Sequence, residues 1–268
     1  MSCALAHTRR LVIIAIAVPL AGCFQSSTVI HVKADGSGTI VQRTMLTENA
    51  MDQLRTFAIL GGGNPDASDP TSEDQAKAMA TSIGPGVMYV SSMPLAIDKY
   101  KGRETIYAFP DIRQLRISEQ PNIPGNLPLP ASAGGNTPPI SFALDRNSDG
   151  NVVLRMLVPR PAIFPNGADG KAIPPSLDQI TMVRQLLAGA RLSVVVEPDG
   201  QLVKTSSPFV DGNRVTLVDV DIDKAGADPE LAKKLQSIGT DDQSKAINSI
   251  DGLKITLQPE ITIEFAPK

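Results

Sequence analysis

The stretch KITLQPEITIEF, from Lys254 to Phe265, carries the clearest structural pattern in the sequence. Its aliphatic and aromatic residues all stand at odd positions, and the residues at even positions are polar or charged. A period of two places the apolar side chains on one face of a β-strand. Pro259 interrupts the run and cannot donate a backbone hydrogen bond. We therefore expect a one-sided strand, or a bent pair of strands, that turns, bulges or lies at a sheet edge at Pro259.

Strand patterns recur along the rest of the chain. TVIHVK (28–33) and TIVQRTML (39–46) flank the turn residues ADGSG (34–38), which is the arrangement of a β-hairpin. Ile30 and Val32 share one face of the first strand, and His31 lies on the other. About ten strands are expected in total, and most of their connections are typical of hairpins.

Helix-start signals stand between these strands. Thr47 and Ser176 are typical N-caps. Asp69-Pro70 and Asp228-Pro229 predict two further helices, the first with proline at its first helical position. Hairpin connections are not those of a βαβ repeat. The sequence therefore predicts an α+β fold with a mainly antiparallel sheet and about four short helices.

One long segment bears on the domain organisation. Residues 120–139 are rich in Pro, Gly, Asn and Ala and lack a strand or helix period. Because the strands on either side read as one continuing meander, we interpret 120–139 as an irregular loop within a single domain that spans 28–268. The alternative is a linker between two domains.

The N-terminus has the pattern of a secretion signal. Arg9 and Arg10 precede the apolar stretch LVIIAIAVPLAG (11–22), which is too short to span a bilayer. The next residue is Cys23, and Leu20-Ala21-Gly22-Cys23 resembles the lipobox of bacterial lipoproteins. The resemblance implies that 1–22 are removed and that Cys23 carries lipid, including palmitate. An ordinary signal peptide with a chance cysteine is the alternative.

The residues after Cys23 bear on where the protein is held. Residues 23–27 are the whole tether before the first predicted strand, so the domain should lie close to the membrane surface. Phe24 follows the cysteine, where an aspartate would signal retention at the inner membrane. By resemblance to Gram-negative lipoproteins, we expect anchoring in the cell envelope, at the outer membrane facing the periplasm if the source is Gram-negative.

Composition narrows the possible partners. The chain has 25 Lys and Arg against 28 Asp and Glu, and it has no dense basic run, so we expect no nucleic-acid binding. It has no Trp and only 4% aromatic residues, which counts against surfaces that bind sugars or stack bases. The sequence has two cysteines, Cys3 and Cys23. Because Cys3 lies in the predicted signal, we expect no intramolecular disulfide in the exported chain.

Catalytic chemistry has few candidates. His31 is the one histidine outside the signal, and a Ser-His-Asp triad would have to use it. An exposed strand histidine is the simpler interpretation. One histidine and a lipidated cysteine cannot build a zinc site, so we assign no catalytic residue, no metal site and no cofactor.

Two acidic patterns could bind a cation. Asp145, Asn147 and Asp149 match the first half of an EF-hand loop, but Met156 stands where the bidentate glutamate should be. A hairpin turn explains the same residues. The second pattern places Asp219, Asp221 and Asp223 on one strand face, where they would bind a cation or simply be solvated.

Three stretches together resemble a known family. They are VIHVKADGSGTIVQRTML (29–46), KGRETIYAFPDIRQLRI (101–117) and GLKITLQPEITIEF (252–265). They resemble bacterial lipoproteins of the LppM-like domain family. The resemblance implies an α+β envelope domain with a lipid or glycolipid as candidate ligand, and it assigns no catalytic residue. The chain departs from the family by lacking an apolar C-terminal membrane segment.

Three classes of function remain. The first is a non-enzymatic binding module, attached to the membrane through Cys23, for a lipid or an envelope partner. The second is a structural or assembly lipoprotein. The third is a hydrolase that uses carboxylates, serine or lysine. We favour the first, because the exported chain lacks the residues most enzymes use for proton transfer near neutral pH.

Overall fold

The computed structural model describes residues 24–60, 69–117, 139–158, 176–236 and 247–268. The signal sequence, Cys23 and nearly all of the predicted loop 120–139 lie outside these ranges.

In the described residues, strands dominate and helices are fewer, which confirms the α+β class. The strands are β1 (Phe24–Val32), β2 (Gly38–Thr47), β3 (Met88–Ile97), β4 (Tyr100–Phe109), β5 (Ser141–Arg146), β6 (Val152–Leu157), β7 (Arg191–Pro198), β8 (Gly200–Thr205), β9 (Val210–Asp211), β10 (Arg214–Asp221), β11 (Leu253–Ile255) and β12 (Glu260–Pro267). The helices are α1 (Glu48–Leu60), α2 (Glu73–Ile83), α3 (Leu177–Leu186), α4 (Ile222–Ala227) and α5 (Leu231–Gln236).

The strands form two sheets, where one was expected. The main sheet has the order β11-β10-β7-β1-β2-β4-β3, with β9 paired to β10. The second sheet has the order β5-β6-β12-β8 and is antiparallel. The main sheet is mixed, because β1 and β7 run parallel while their other neighbours are antiparallel. The mainly antiparallel prediction therefore holds except at this central pair, which joins strands far apart in sequence.

The largest core cluster contains residues from both sheets. Each contributes one apolar face, as alternation along the strands requires. The main sheet provides Ile30, Ile40, Tyr107, Val196 and Val215, among others, and the second sheet provides Leu154, Met156, Ile261, Ile263 and Phe265.

The second half of the C-terminal stretch follows its predicted pattern, whereas in the first half the even-numbered Thr256 is buried and Ile255 and Leu257 are only half-buried. Ile261, Ile263 and Phe265 are fully buried in β12. Pro259 lies between β11 of the main sheet and β12 of the second sheet, and its carbonyl accepts the Val158 N–H at 3.0 Å. The stretch is therefore a bent strand pair that passes from one sheet to the other at the proline.

Two helices begin later than predicted. Asp69 Oδ1 accepts the Thr71 N–H at 2.8 Å, which makes a side-chain turn, and α2 starts only after the N-cap Ser72. Asp228 does the same with the Glu230 N–H at 2.9 Å, ahead of α5. The predicted starts at Asp69-Pro70 and Asp228-Pro229 are wrong because these aspartates form turns before the helices. By contrast, α1 follows Thr47 as predicted.

Strands from both sides of residues 120–139 share the main sheet, which leads to a test of the single-domain prediction. A protease site placed in 120–139 should be cut without releasing either half, because β1 pairs with β7 along the register from Gln25–Arg191 to Val32–Pro198. Gel filtration after cleavage should give one peak at the original volume. Two peaks that each keep folded circular dichroism spectra would instead support two domains.

Candidate functional site

The core-facing side of the main sheet changes from apolar to polar along β1 and β2. Ile30 pairs with Ile40 in the buried part. On the same face, two and four residues before Ile30, Thr28 pairs with Gln42 and Ser26 pairs with Thr44. Residues directly opposite in a strand pair share a face. The inner face therefore continues past the core as a floor of polar side chains.

This polar floor lies at the base of a groove of about 300 Å³. Met79 and Ile83 of α2 line it, as do Leu192 and Val194 of β7. Phe24, the first residue of β1, lines it as well. The groove thus combines apolar walls with a polar floor, which is the usual composition of a small-molecule site, although its volume is at the small end of the range.

The polar side chains of the floor are not hydrogen-bonded to other described residues. Within the described part of the chain, the side chains of Ser26, Thr28, Gln42 and Thr44 make no hydrogen bond. Ser26 is buried, with a relative exposure of 8%, and Thr28, Gln42 and Thr44 are half-buried. Buried polar groups are normally hydrogen-bonded to protein, water or ligand. The floor is therefore able to bond a molecule in the groove without breaking protein contacts.

Three hydrogen bonds hold α2 over the sheet and so define one wall of the groove. The Tyr107 hydroxyl donates to the Ala76 carbonyl at 2.9 Å, and the Tyr89 hydroxyl donates to Glu73 Oε1 at 3.3 Å. Arg103 Nε donates to the Thr71 carbonyl at 2.7 Å, just before the helix. Burial raises the pKa of Tyr107 to about 12, so its hydroxyl stays a donor at any physiological pH.

The groove has one charge among its described lining residues. Arg116 is exposed, and its backbone N–H donates to the Ile83 carbonyl at 2.8 Å, which places it beside the end of α2. Asp and Glu are absent from the described lining. The local field therefore favours an anion.

A second, larger cavity of about 590 Å³ lies between α1 and the β3–β4 hairpin. Its charges are largely compensated within the protein: Lys101 pairs with Glu48, and Arg55 lies 3.4 Å from Asp52. The hydrogen bond and charge of Lys101 lower the pKa of Glu48. A general acid for hydrolysis needs the opposite shift. We therefore take the smaller groove as the candidate site.

The first predicted cation pattern is a hairpin turn between β5 and β6. Asn147 Oδ1 accepts the N–H groups of Asp149 at 3.0 Å and Asn151 at 2.9 Å. Asn147 Nδ2 donates to Glu264 Oε1 at 2.8 Å, and Asp145 pairs with Arg155. These side chains bond the turn and its neighbouring strands, which is the alternative that the sequence left open.

The second cation pattern is wrong as a single strand face. The chain leaves β10 at Asp221 and enters α4, so Asp223 is helical while Asp219 is in the strand. Asp221 Oδ1 caps α4 by accepting the Lys224 N–H at 3.1 Å, and Asp223 accepts the Gly189 N–H at 2.7 Å. Over the ranges that the structure covers, no three Asp, Glu, His or Cys side chains are grouped to hold a metal ion.

His31 lies away from the groove, and the position of Cys23 is not described. His31 is on the outer face of β1, opposite the polar floor, where its neighbours in register are Thr39 and Glu197. Cys23 lies outside the described residues, but the next residue, Phe24, packs against the cluster of Leu46, Ala50 and Leu54 beneath α1. None of the helices that the structure describes is long and apolar enough to cross a membrane.

The sequence reading missed the floor residues Ser26, Thr28, Gln42 and Thr44. The sequence pattern does contain them: like Ile30 and Ile40 they are even-numbered, so alternation along the strands places them on the inward face although they are polar. Polar residues that continue an apolar face mark a place where that face leaves the core.

No protein-family model matches the sequence, and no curated protein matches it. Among solved structures, the chain is similar to the folded domain of the Mycobacterium tuberculosis protein LppM, determined by NMR. The two chains are 11% identical, and the match covers 73% of this chain and 81% of that chain with a TM-score of 0.32. At that score the similarity supports no conclusion about this chain, and the resemblance read from the sequence stays an expectation.

Proposed function

We propose that this protein is a lipid-anchored component of the bacterial cell envelope that binds a lipid in the groove between α2 and the main sheet, without catalysing a reaction on it. The observation that carries the proposal is the floor of four polar side chains without hydrogen bonds inside the described part of the chain, set between apolar walls.

The chemistry of the groove fits an amphiphile. Met79, Ile83, Leu192 and Val194 offer apolar surface for an acyl chain, whose burial contributes about 0.8 kcal/mol per CH₂ group. The hydroxyl and amide groups of the floor can bond ester, hydroxyl or acid oxygens. A purely apolar ligand would leave these groups unpaired, and a purely polar one would leave the walls uncovered.

The position of the groove also favours a lipid. Phe24 lines it, and Phe24 directly follows Cys23, the proposed point of attachment to the membrane. Adjacent Cα atoms are about 3.8 Å apart, so lipid on Cys23 would bring the groove close to the bilayer. In a Gram-negative source, Phe24 in place of aspartate supports the outer membrane, with the domain facing the periplasm.

Filling the groove gives the test. We expect Thr44→Trp to abolish lipid retention, because an indole ring on the floor would occupy the space between the walls. Thr39→Trp is the matched control, since Thr39 lies on the same strand but on the outer face. Each protein is incubated with an envelope lipid extract, gel-filtered and examined by native mass spectrometry.

The proposal predicts lipid on the wild type and on Thr39→Trp, and little or none on Thr44→Trp. Equal retention by both variants, or an empty wild type, would contradict it. A stoichiometric protein partner recovered in place of lipid would favour the assembly role.

A further inference from the structure

We infer that the ligand of the groove is a single-chain fatty acid whose carboxylate is bound by the guanidinium of Arg116. This inference rests on the proposed function and adds to it the class of lipid and the residue that recognises the head group.

The described lining of the groove carries one positive charge. Arg116 is the one charged residue among the described lining residues, and it has no carboxylate partner in the described part of the chain. An acyl chain with an anionic head would place its charge against this cation. A cationic head would be repelled by it, and a zwitterionic head would leave its own positive group without a carboxylate in the lining.

The donor geometry of Arg116 is specific. Its Nη1 donates to the Arg113 carbonyl at 3.1 Å and to the Leu115 carbonyl at 2.7 Å, which holds the side chain in place. Nε and Nη2 have no acceptor in the described part of the chain. These two donors form the edge of the guanidinium that binds two carboxylate oxygens side by side.

Arg113 shows this binding mode three residues earlier. Its Nε donates to Asp111 Oδ1 at 2.9 Å, and its Nη2 donates to Asp111 Oδ2 at 2.8 Å. The same edge is therefore filled by a carboxylate of the protein at Arg113 and remains available at Arg116.

Size and charge together favour a fatty acid over other anionic lipids. A groove of about 300 Å³ has room for one chain and not for the two chains of a diacyl phospholipid. A phosphate monoester carries between about −1.5 and −2 charges at neutral pH, which one arginine cannot neutralise. A carboxylate carries one charge and matches one guanidinium.

The test varies the head group on a constant chain. The chain from residue 23 onward, with Cys23→Ser and stripped of lipid, is titrated calorimetrically with dodecanoate, dodecyl phosphate, dodecanol and dodecyltrimethylammonium, all below micellar concentrations. We expect dodecanoate to bind about tenfold or more tighter than dodecanol, as for a hydrogen-bonded charge.

Arginine variants test whether Arg116 causes the preference for dodecanoate. Arg116→Gln should remove the preference for dodecanoate over dodecanol while leaving dodecanol binding unchanged. Arg116→Lys should keep only part of the preference, because it retains the charge and loses the paired donors. Arg113→Gln is the matched control and should behave like the wild type, since Arg113 is outside the groove and already paired.

Three other outcomes of the titrations would contradict the inference or the proposed function. Equal binding of dodecanoate and dodecanol, or an Arg116→Gln protein that keeps the preference, would overturn the inference and leave the proposed function intact. Tighter binding of dodecyl phosphate than of dodecanoate would overturn the carboxylate assignment. If none of the four compounds binds and the envelope extract also yields no lipid, the proposed function fails with it.

Discussion

A Cys23→Ala protein should incorporate no palmitate and should keep its signal sequence. Leu20-Ala21-Gly22-Cys23 resembles a lipobox, in which lipid is attached to the cysteine sulfur before the signal is removed, so we expect cleavage after Gly22 only when Cys23 is present. In cells grown with labelled palmitate, the wild type should be labelled, and its intact mass should lack residues 1–22 while including the added lipid. Burial of the acyl chains contributes about 0.8 kcal/mol per CH₂ group, so two or more chains hold a protein stably in a membrane.

Cys3 supplies the control for this experiment. Cys3→Ala changes the same residue type within the signal and should leave labelling, cleavage and membrane association unchanged. Globomycin, which blocks the lipoprotein signal peptidase, should reproduce the uncleaved form in the wild type. Labelled Cys23→Ala protein, or wild-type protein released from membranes without detergent, would contradict the lipid anchor.

Phe265→Ala should have the largest effect on folding stability. Phe265 is fully buried in β12, where it lies opposite Val152 of β6 and Leu202 of β8 in the core between the sheets. Replacing a buried phenylalanine by alanine removes its transfer free energy and leaves a cavity, at a cost of about 3–5 kcal/mol. That is a large part of the stability of about 5–15 kcal/mol that is typical of native proteins.

Urea unfolding, followed by circular dichroism, measures this cost. Thr262→Ala is the control, because Thr262 lies on the other face of β12 and its side chain should contribute only about 0.5–1 kcal/mol. Phe265→Leu keeps most of the volume and should fall between the two variants. Similar midpoints for Phe265→Ala and Thr262→Ala would contradict the described packing of β12 against the main sheet.

Local patterns predicted the last strand and the start of α1, but placed two other helix starts too early. The odd positions of Ile261, Ile263 and Phe265 gave the buried face of β12, because alternation depends on the strand alone. Pro259 gave the bend, because its missing N–H cannot take part in a ladder. At Asn147 the sequence left a cation site and a turn open, and the structure supports the turn: the side chain bonds backbone groups two and four residues later.

Long-range features were not predictable in the same way. The parallel pairing of β1 with β7 joins Gln25 to Arg191, and no local period encodes which distant strand becomes a neighbour. The strand orders of the two sheets likewise join segments that are far apart in sequence. The groove also depends on the position of α2 beside Thr28 and Gln42. Its floor residues could be predicted from their alternation along β1 and β2, but the residues of its walls could not.

The parallel pair at the centre of the main sheet also determines when the molecule can finish folding. β1 is among the first segments to be synthesised, whereas β7 begins only at Arg191, after β1 to β6 have been made. The entropy cost of closing so long a loop arises before the β1–β7 hydrogen bonds can stabilise the chain, which slows folding. The nascent chain therefore lacks a closed central sheet until late in synthesis. If the signal sequence directs export of an unfolded chain, this delay would favour it, because β1 lacks its parallel partner β7 until late in synthesis.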